Sequence, residues 1–335
     1  MLHHLDTRHP RDGRDDRPPR EELLHLSGLG VDGVLVAPSA PPALFGQARL
    51  LGLKVVVDVT GLRVADEADP VLRGWLDRGA DGIRVDLPSA LPGHPVPWHR
   101  WRTWCESLTA RDGRPRLLMG NASFGSLVAS SGSTRSAAAR PMSLLRPLTA
   151  SWHAPALRRI IDEAFHESTA TGSTVTWAVN RPGITRSAPR YDATGVPVSG
   201  RDRMRAATLL ALALPGAACL RRDALPRPPR QRSASPHPPT HPRRAPGAPG
   251  SLRRGALALR RRLPQLGEGP MRGLDTPPEV LAFVRGEGLV CAVNFGDAPR
   301  PAPMPGPPHL ASRLCPPGLL PPHTAAWWIT DAPPS

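Results

Sequence analysis

From about residue 23 to residue 220 the chain alternates short apolar runs with longer amphipathic stretches. VDGVLVAP (31–38), LKVVVDV (53–59), GIRVDL (82–87), RLLMG (116–120) and TVTWAVN (174–180) are rich in β-branched and aliphatic residues and predict strands. Several are unbroken apolar runs, as strands covered on both faces require. Between them, WHRWRTWCESL (98–108), HAPALRRIIDEAFHEST (153–169) and RDRMRAATLLALAL (201–214) predict helices. The second sets Leu157, Ile160, Ile161, Ala164 and Phe165 on one face at helical spacing. Strands and helices in alternation imply an α/β fold with parallel strands.

The pattern breaks at both ends of this region. Residues 1–22 mix charges with few apolar side chains and read as a disordered N-terminus. From Pro226 to Pro249 there are nine prolines in 24 residues, a density no regular element survives. A basic helix is expected over 251–266. EVLAFVRGEGLVCAVNFGD (279–297) then carries two apolar runs around Gly286-Glu287-Gly288, a hairpin signal, and TAAWWIT (324–330) supplies a last strand. These elements predict a small antiparallel β-domain at the C-terminal end.

Composition adds a caution about charge. The formal net charge is +15, with 44 Pro, 31 Gly, and a single lysine, Lys54, among 43 basic residues. Twelve Arg and one acid (Asp223) fall within 221–262, so most of the excess sits in one Pro-rich stretch and its following helix. A basic nucleic-acid-binding face is therefore the less favoured reading, although the arginines at 253–262 keep it open. Cys105, Cys219, Cys291 and Cys315 form no C-x-x-C pair, and free thiols suit a reducing cytoplasm. MLHHLDTRHPRDGRDDRPPREE is too polar for a signal peptide, and the apolar run 206–220 is broken by Pro215-Gly216 and too short for a bilayer. A cytoplasmic chain with no membrane partner is expected. His237 and His241 lie in Pro-rich sequence that does not preorganise metal ligands, and the Gly286–Gly288 turn lacks the helix and Lys-Ser/Thr of a phosphate loop. No cofactor or metal is expected.

The run GADGIRVDLPS (79–89) ends a buried strand on a carboxylate, Asp86, and in a parallel barrel that end of a strand is where chemistry is done. With LGVDGVLVAPS, GLKVVVDV, RPRLLMGNAS, TWAVNRPGITRSAPRYD, RMRAATLLALALPGAACL, ALALRRRLPQLGEGP and VLAFVRGEGLVCAVNFGD, it resembles the α-amylase/α-glucosidase family of glycoside hydrolases, particularly bacterial oligo-α-glucosidases. The words recur in the family's order over residues 27–330. The resemblance implies a (β/α)₈ barrel of the TIM type followed by a small antiparallel β-domain, acting with retention on α-glucosides or short oligosaccharides.

That chemistry needs two carboxyl groups about 5 Å apart across the glycosidic bond. By the resemblance, Asp86 takes the nucleophile's position, with Arg84 to orient it and Asp58 to support the arginine. The family's acid/base glutamate falls on Asn121, which has no proton to give at neutral pH, so leaving-group assistance worth about 10²–10⁴-fold is lost. The third carboxylate falls on Gly183. The family's sugar-gripping histidines are also replaced: Leu62 and Arg63 follow Asp58, Pro182 precedes Gly183, and Ser89 stands beyond Asp86. The expectation is an impaired or inactive member, a pseudoenzyme. The alternatives are an active retaining α-glucosidase that borrows an acid such as Glu106 or Asp192, and an Arg-rich nucleic-acid binder.

The expected architecture is a truncated barrel over 23–225, a Pro/Arg-rich linker over 226–250, and a last barrel helix with a β-sandwich-like domain over 251–335. No first strand is legible before residue 31, so the barrel is expected to close imperfectly, and the stretch between Asp58 and Asp81 is too short for the family's inserted domain. Trp98, Trp101 and Trp104 drift around one helical face and read as core. Trp327 and Trp328 point to opposite sides of a strand, which leaves a surface position, and with it a sugar contact, open to one of them.

Overall fold

A computed structural model describes residues 2–5, 19–60, 65–86, 98–113, 116–120, 142–147, 152–179, 197–221, 249–263, 265–286 and 288–330. The chain divides into two compact units, one of residues 1–151, 156–187 and 215–222, the other of 152–155, 188–214 and 223–335.

The first unit is a closed ring of eight parallel strands, β1 (Leu2–Leu5), β2 (Gly33–Val36), β3 (Lys54–Thr60), β4 (Gly82–Asp86), β5 (Leu117–Gly120), β6 (Met142–Pro147), β7 (Thr174–Ala178) and β8 (Ala217–Arg221). Helices α1 (Pro19–Leu29), α2 (Pro42–Leu50), α3 (Ala65–Asp77), α4 (Trp98–Asp112) and α5 (Ala154–Thr171) follow β1, β2, β3, β4 and β6. Two expectations are corrected here. The first strand exists: Leu2–Leu5 pairs in parallel with β2 on one side and β8 on the other, so the ring closes. The N-terminus is likewise not disordered throughout, since β1 and the start of α1 fall within 1–22. LHHL is four residues long and carries two histidines, too short and too polar to signal a strand. Its place is set by two neighbouring backbones, not by its own pattern.

The strand register builds the interior. Leu35, Val56, Met119, Ala178 and Cys219, from five strands, form one buried cluster. Residues of the opposite parity face outward: Trp177 meets the Phe165 ring of α5 edge-on at 6.0 Å and donates from Nε1 to the Pro215 carbonyl at 2.6 Å. Because both faces are covered, β3 reads as a nearly continuous apolar run. Gly216, at φ +93°, packs so close to the Val175 carbonyl that a Cβ there would collide with it. Gly82 lets β4 approach Leu117 in the same way, its hypothetical Cβ falling 2.5 Å from the Leu117 oxygen.

The second unit contains α6 (Pro197–Ala213), α7 (Pro249–Arg262), the short α8 (Gln265–Glu268) and seven strands, β9 (Met271–Gly273), β10 (Val280–Arg285), β11 (Leu289–Asn294), β12 (Arg300–Pro301), β13 (Leu310–Ala311), β14 (Leu319–Leu320) and β15 (Thr324–Ile329). Five of these strands form a sheet in the order β13-β15-β11-β10-β9, and β12 pairs with β14. All pairs in both sheets are antiparallel. The expected hairpin joins β10 to β11, with Gly286 at φ +55° in its turn. One face carries Val280, Ala282, Val284, Val290, Ala292, Ala326 and Trp328 in a single cluster. α6 packs against β11 and β15. With both faces covered, Trp327 and Trp328 are 0% and 4% exposed, so neither takes the surface position that alternation left open. The basic helix α7 is also no uniformly solvated face: Leu252, Arg253, Ala256, Leu257 and Leu259 are buried along it.

Arg285 ties this unit together. It is 0% exposed and spends its guanidinium on carbonyls: Nη1 on Ala213 at the end of α6, Nη2 on Leu266 and Gly269 at 3.1 and 3.0 Å, Nε on Pro270 at 3.2 Å. Arg260 of α7 donates to the Leu212 carbonyl. Two cations thus converge on the negative end of α6, where orphan carbonyls and the helix dipole favour them. Burial, with Arg260 nearby, pulls the Arg285 pKa down to about 10, so it stays charged at neutral pH.

Candidate functional site

The candidate site grows from the ends of β3 and β4. Asp58 follows Val56 by one strand repeat, so alternation turns it to the same interior face. Arg84 pairs with Asp58 in the parallel register and with Met119 of the interior cluster on its other side. Its Nη1 donates to Asp58 Oδ1 at 2.8 Å, with the two side chains 1% and 0% exposed. The predicted supporting pair is therefore assembled across adjacent strands. An ion pair this dry is held by geometry: each charge loses its water, and either one left alone is strongly destabilising.

Cys219 of β8 shares this interior. Burial pushes its thiol up to about 12, the Arg84 charge pulls it back and the Asp58 charge adds to the rise. It is a neutral, inert thiol beside an ion pair. Sequence reasoning missed it as a neighbour of the pair; the available signal was the one-in-two spacing of Ala217, Cys219 and Arg221 along β8.

Asp86 is the last residue of β4, one strand repeat beyond Arg84, and its backbone pairs with Thr60 at the end of β3. Its side chain lies outside the described residues, as do Asn121, Gly183, Asp192 and the 226–248 stretch. Glu106, the alternative acid, lies within α4 and not at a strand end, and its Oε1 accepts from Arg102 Nε at 3.0 Å. Of the three tryptophans read as core, the Trp98 side chain lies outside the described residues, and Trp101 is 1% exposed and donates to Asp69 at 2.7 Å. Trp104 is half-buried under the guanidiniums of Arg73 and Arg100.

None of the four cysteines is paired. Burial raises Cys105 to about 12 and Cys315 to about 11, and raises Cys291 as well. Among the described residues no group of three or more His, Cys, Asp or Glu side chains could hold a metal ion, and no helix is long and apolar enough to cross a membrane.

A fold of this kind is found in solved α-glucan enzymes. An α-glucosyl transfer enzyme, XgtA, matches with a TM-score of 0.61 at 17% identity. The α-amylase from H. orenii matches at 0.64 and 12%, and the cyclic α-maltosyl-(1→6)-maltose hydrolase from Arthrobacter globiformis at 0.64 and 13%. Each alignment covers 98% of this chain and 98% of the other. A family model described as a domain of unknown function, DUF3459, matches residues 253–327. No curated protein sequence matches the chain. At these identities the likeness defines a shared fold, a ring of parallel strands followed by an antiparallel β-domain.

Proposed function

We propose that this chain is a member of the α-amylase/α-glucosidase family of glycoside hydrolases, of the oligo-α-glucosidase type, whose hydrolytic chemistry is impaired or lost. The observation that carries the reading is the buried Arg84–Asp58 pair below Asp86 at the end of β4. An arginine locked by an aspartate inside the ring is the arrangement the family uses to hold its nucleophile. Support comes from three further directions: the order of the family-like sequence words, the α-glucan enzymes that share the fold, and the match to DUF3459, a C-terminal domain of such enzymes.

In the intact reaction a carboxylate attacks the anomeric carbon, and a carboxylic acid protonates the departing oxygen, then deprotonates water. Here Asp86 would be the nucleophile, with Arg84 keeping it ionised and aimed, and Asp58 fixing Arg84. Asn121 supplies no proton, and Gly183 supplies no charge to the oxocarbenium-like transition state. The reading is a catalytic barrel without the family's inserted domain, a Pro/Arg-rich stretch leading into α7 and a C-terminal β-domain, working in the cytoplasm. An α-linked oligosaccharide is its ligand.

Calorimetric titration of the full chain with maltotriose and with cellotriose tests the ligand class. The expected result is saturable one-site binding of the α-linked trisaccharide and none of the β-linked one. Binding of neither, or of both alike, counts against an α-glucoside site. Association with DNA that falls steeply between 50 and 200 mM salt would favour the nucleic-acid alternative instead.

A further inference from the structure

One polar cluster belongs wholly to the second unit. His323 sits between β14 and β15 at φ +51°, a left-handed conformation that a histidine adopts seldom, and it is 6% exposed. Its ring is gripped from three sides within the second unit. Trp152 donates from Nε1 to Nδ1 at 3.1 Å. Asp297 Oδ1 lies 2.9 Å from Nε2. Arg203 Nη2, from α6, lies 3.3 Å from the same Nε2 and 4.0 Å from Asp297 Oδ1. Trp152 also packs on Phe295, ring centroids 4.6 Å apart, and the Phe295 backbone carbonyl offers the imidazole a further acceptor.

These contacts select one protonation state. With the proton on Nε2, the ring donates to Asp297 and accepts from Trp152, and two of its three polar side-chain contacts are satisfied. With the proton on Nδ1, the Trp152 N–H faces another N–H, and the Asp297 oxygen faces a lone pair. The neutral Nε2–H form is therefore the one this cluster holds. A second proton has to enter at Nδ1, where Trp152 is already donating. The doubly protonated ring can turn its two N–H groups on Asp297 and the Phe295 carbonyl, but it can accept from nothing.

We propose that His323 and Trp152 form a pH-sensitive latch, in which proton uptake at Nδ1 breaks the indole–imidazole hydrogen bond. Trp152 begins the short stretch 152–155, which groups with the C-terminal β-domain although α5 continues from it into the first unit. The bond tightens that stretch at neutral pH, and its loss in acid loosens it. Titration is displaced downward: burial of the ring comes first among the causes, then the Arg203 charge, with Asp297 opposing both. Trp152 and His323 are 171 residues apart in sequence, which is why no local pattern announces them.

The test is a pH titration of the full chain by nuclear magnetic resonance, following the His323 ring protons and the Trp152 indole N–H together. Trp152→Phe assigns the indole signal and His323→Asn the ring signals, asparagine being among the residues that best tolerate positive φ. Both signals should move with one shared midpoint below 6.5, and exchange of the backbone amides at 152–154 should accelerate through the same range. In His323→Asn the indole titration should vanish. If that variant fails to fold, Asp297→Asn decides, because Asp297 is 90% exposed and its loss should carry both midpoints to lower pH together. An indole signal that stays still while His323 titrates overturns the latch. So do different midpoints, indole titration surviving in His323→Asn, or a histidine that never titrates while the chain is folded.

Discussion

Removing either member of the Arg84–Asp58 pair takes a 2.8 Å ion-pair contact from a charge that stays buried inside the ring. At 1% and 0% exposure, neither side chain can recruit bulk water without the strands separating. Arg84→Met and Asp58→Leu should each destabilise the first unit by about 3–5 kcal/mol, the range for breaking a buried ion pair by removing one member. At 1.4 kcal/mol per decade, that is roughly two to four decades in the opening equilibrium. The double variant replaces the pair by apolar groups and should recover most of the loss, because such replacements are often neutral. Native-state hydrogen exchange at the β3 and β4 amides is the assay, since a chain of two units need not unfold in one step. Single variants that each cost under about 1 kcal/mol, or costs that simply add in the double variant, would refute the reasoning. Cys219 gives a second readout. Its thiol is buried with the pair, so alkylation has to await opening of the ring and should speed up in both single variants and fall back in the double variant.

Other consequences follow from single contacts. Arg285→Met should cost about 3–5 kcal/mol of stability by urea denaturation, because several buried carbonyls lose a charged donor, and Arg285→Lys should recover only part of it. Gly216→Ala should cost about 1–3 kcal/mol for its positive φ alone, with the collision against the Val175 carbonyl in addition, measured as a lower unfolding midpoint. His323 has its folded-state pKa depressed below 6.5, so its neutral form contributes stability that is fully present above about pH 6.5. That contribution is lost as pH falls through the lower folded-state value, and His323→Asn should flatten the dependence in that window.

The fold was legible where a segment carried its own signal. LKVVVDV and GIRVDL are buried on both faces and could be read as strands without neighbours. LHHL could not, because β1 exists through the backbones of β2 and β8. MSLLRP, which forms β6, is short and proline-ended, and its parallel pairing with β5 and β7 is equally non-local. The Trp327-Trp328 doublet shows the same limit: alternation fixes opposite faces, but only the packing of α6 against β15 decides that both are covered. At the site, Asp58 and Arg84 were legible as a pair through the family-like words around them, and the register puts them opposite each other. The Trp152–His323–Asp297–Arg203 cluster gathers residues from four distant segments, and nothing short of the folded chain brings them together.

Turnover of two substrates by the same preparation tests the loss of the proton donor most directly: an aryl α-glucoside with a strongly acidic phenol as leaving group, and maltose. If Asp86 is the nucleophile and Asn121 stands in the donor's place, as proposed, any hydrolysis should be confined to the aryl glucoside and abolished by Asp86→Ala. Maltose should remain uncleaved, because its leaving oxygen needs a proton that Asn121 cannot give. Hydrolysis of maltose at a rate comparable to the aryl glucoside would contradict this reading, as would activity that Asp86→Ala leaves unchanged.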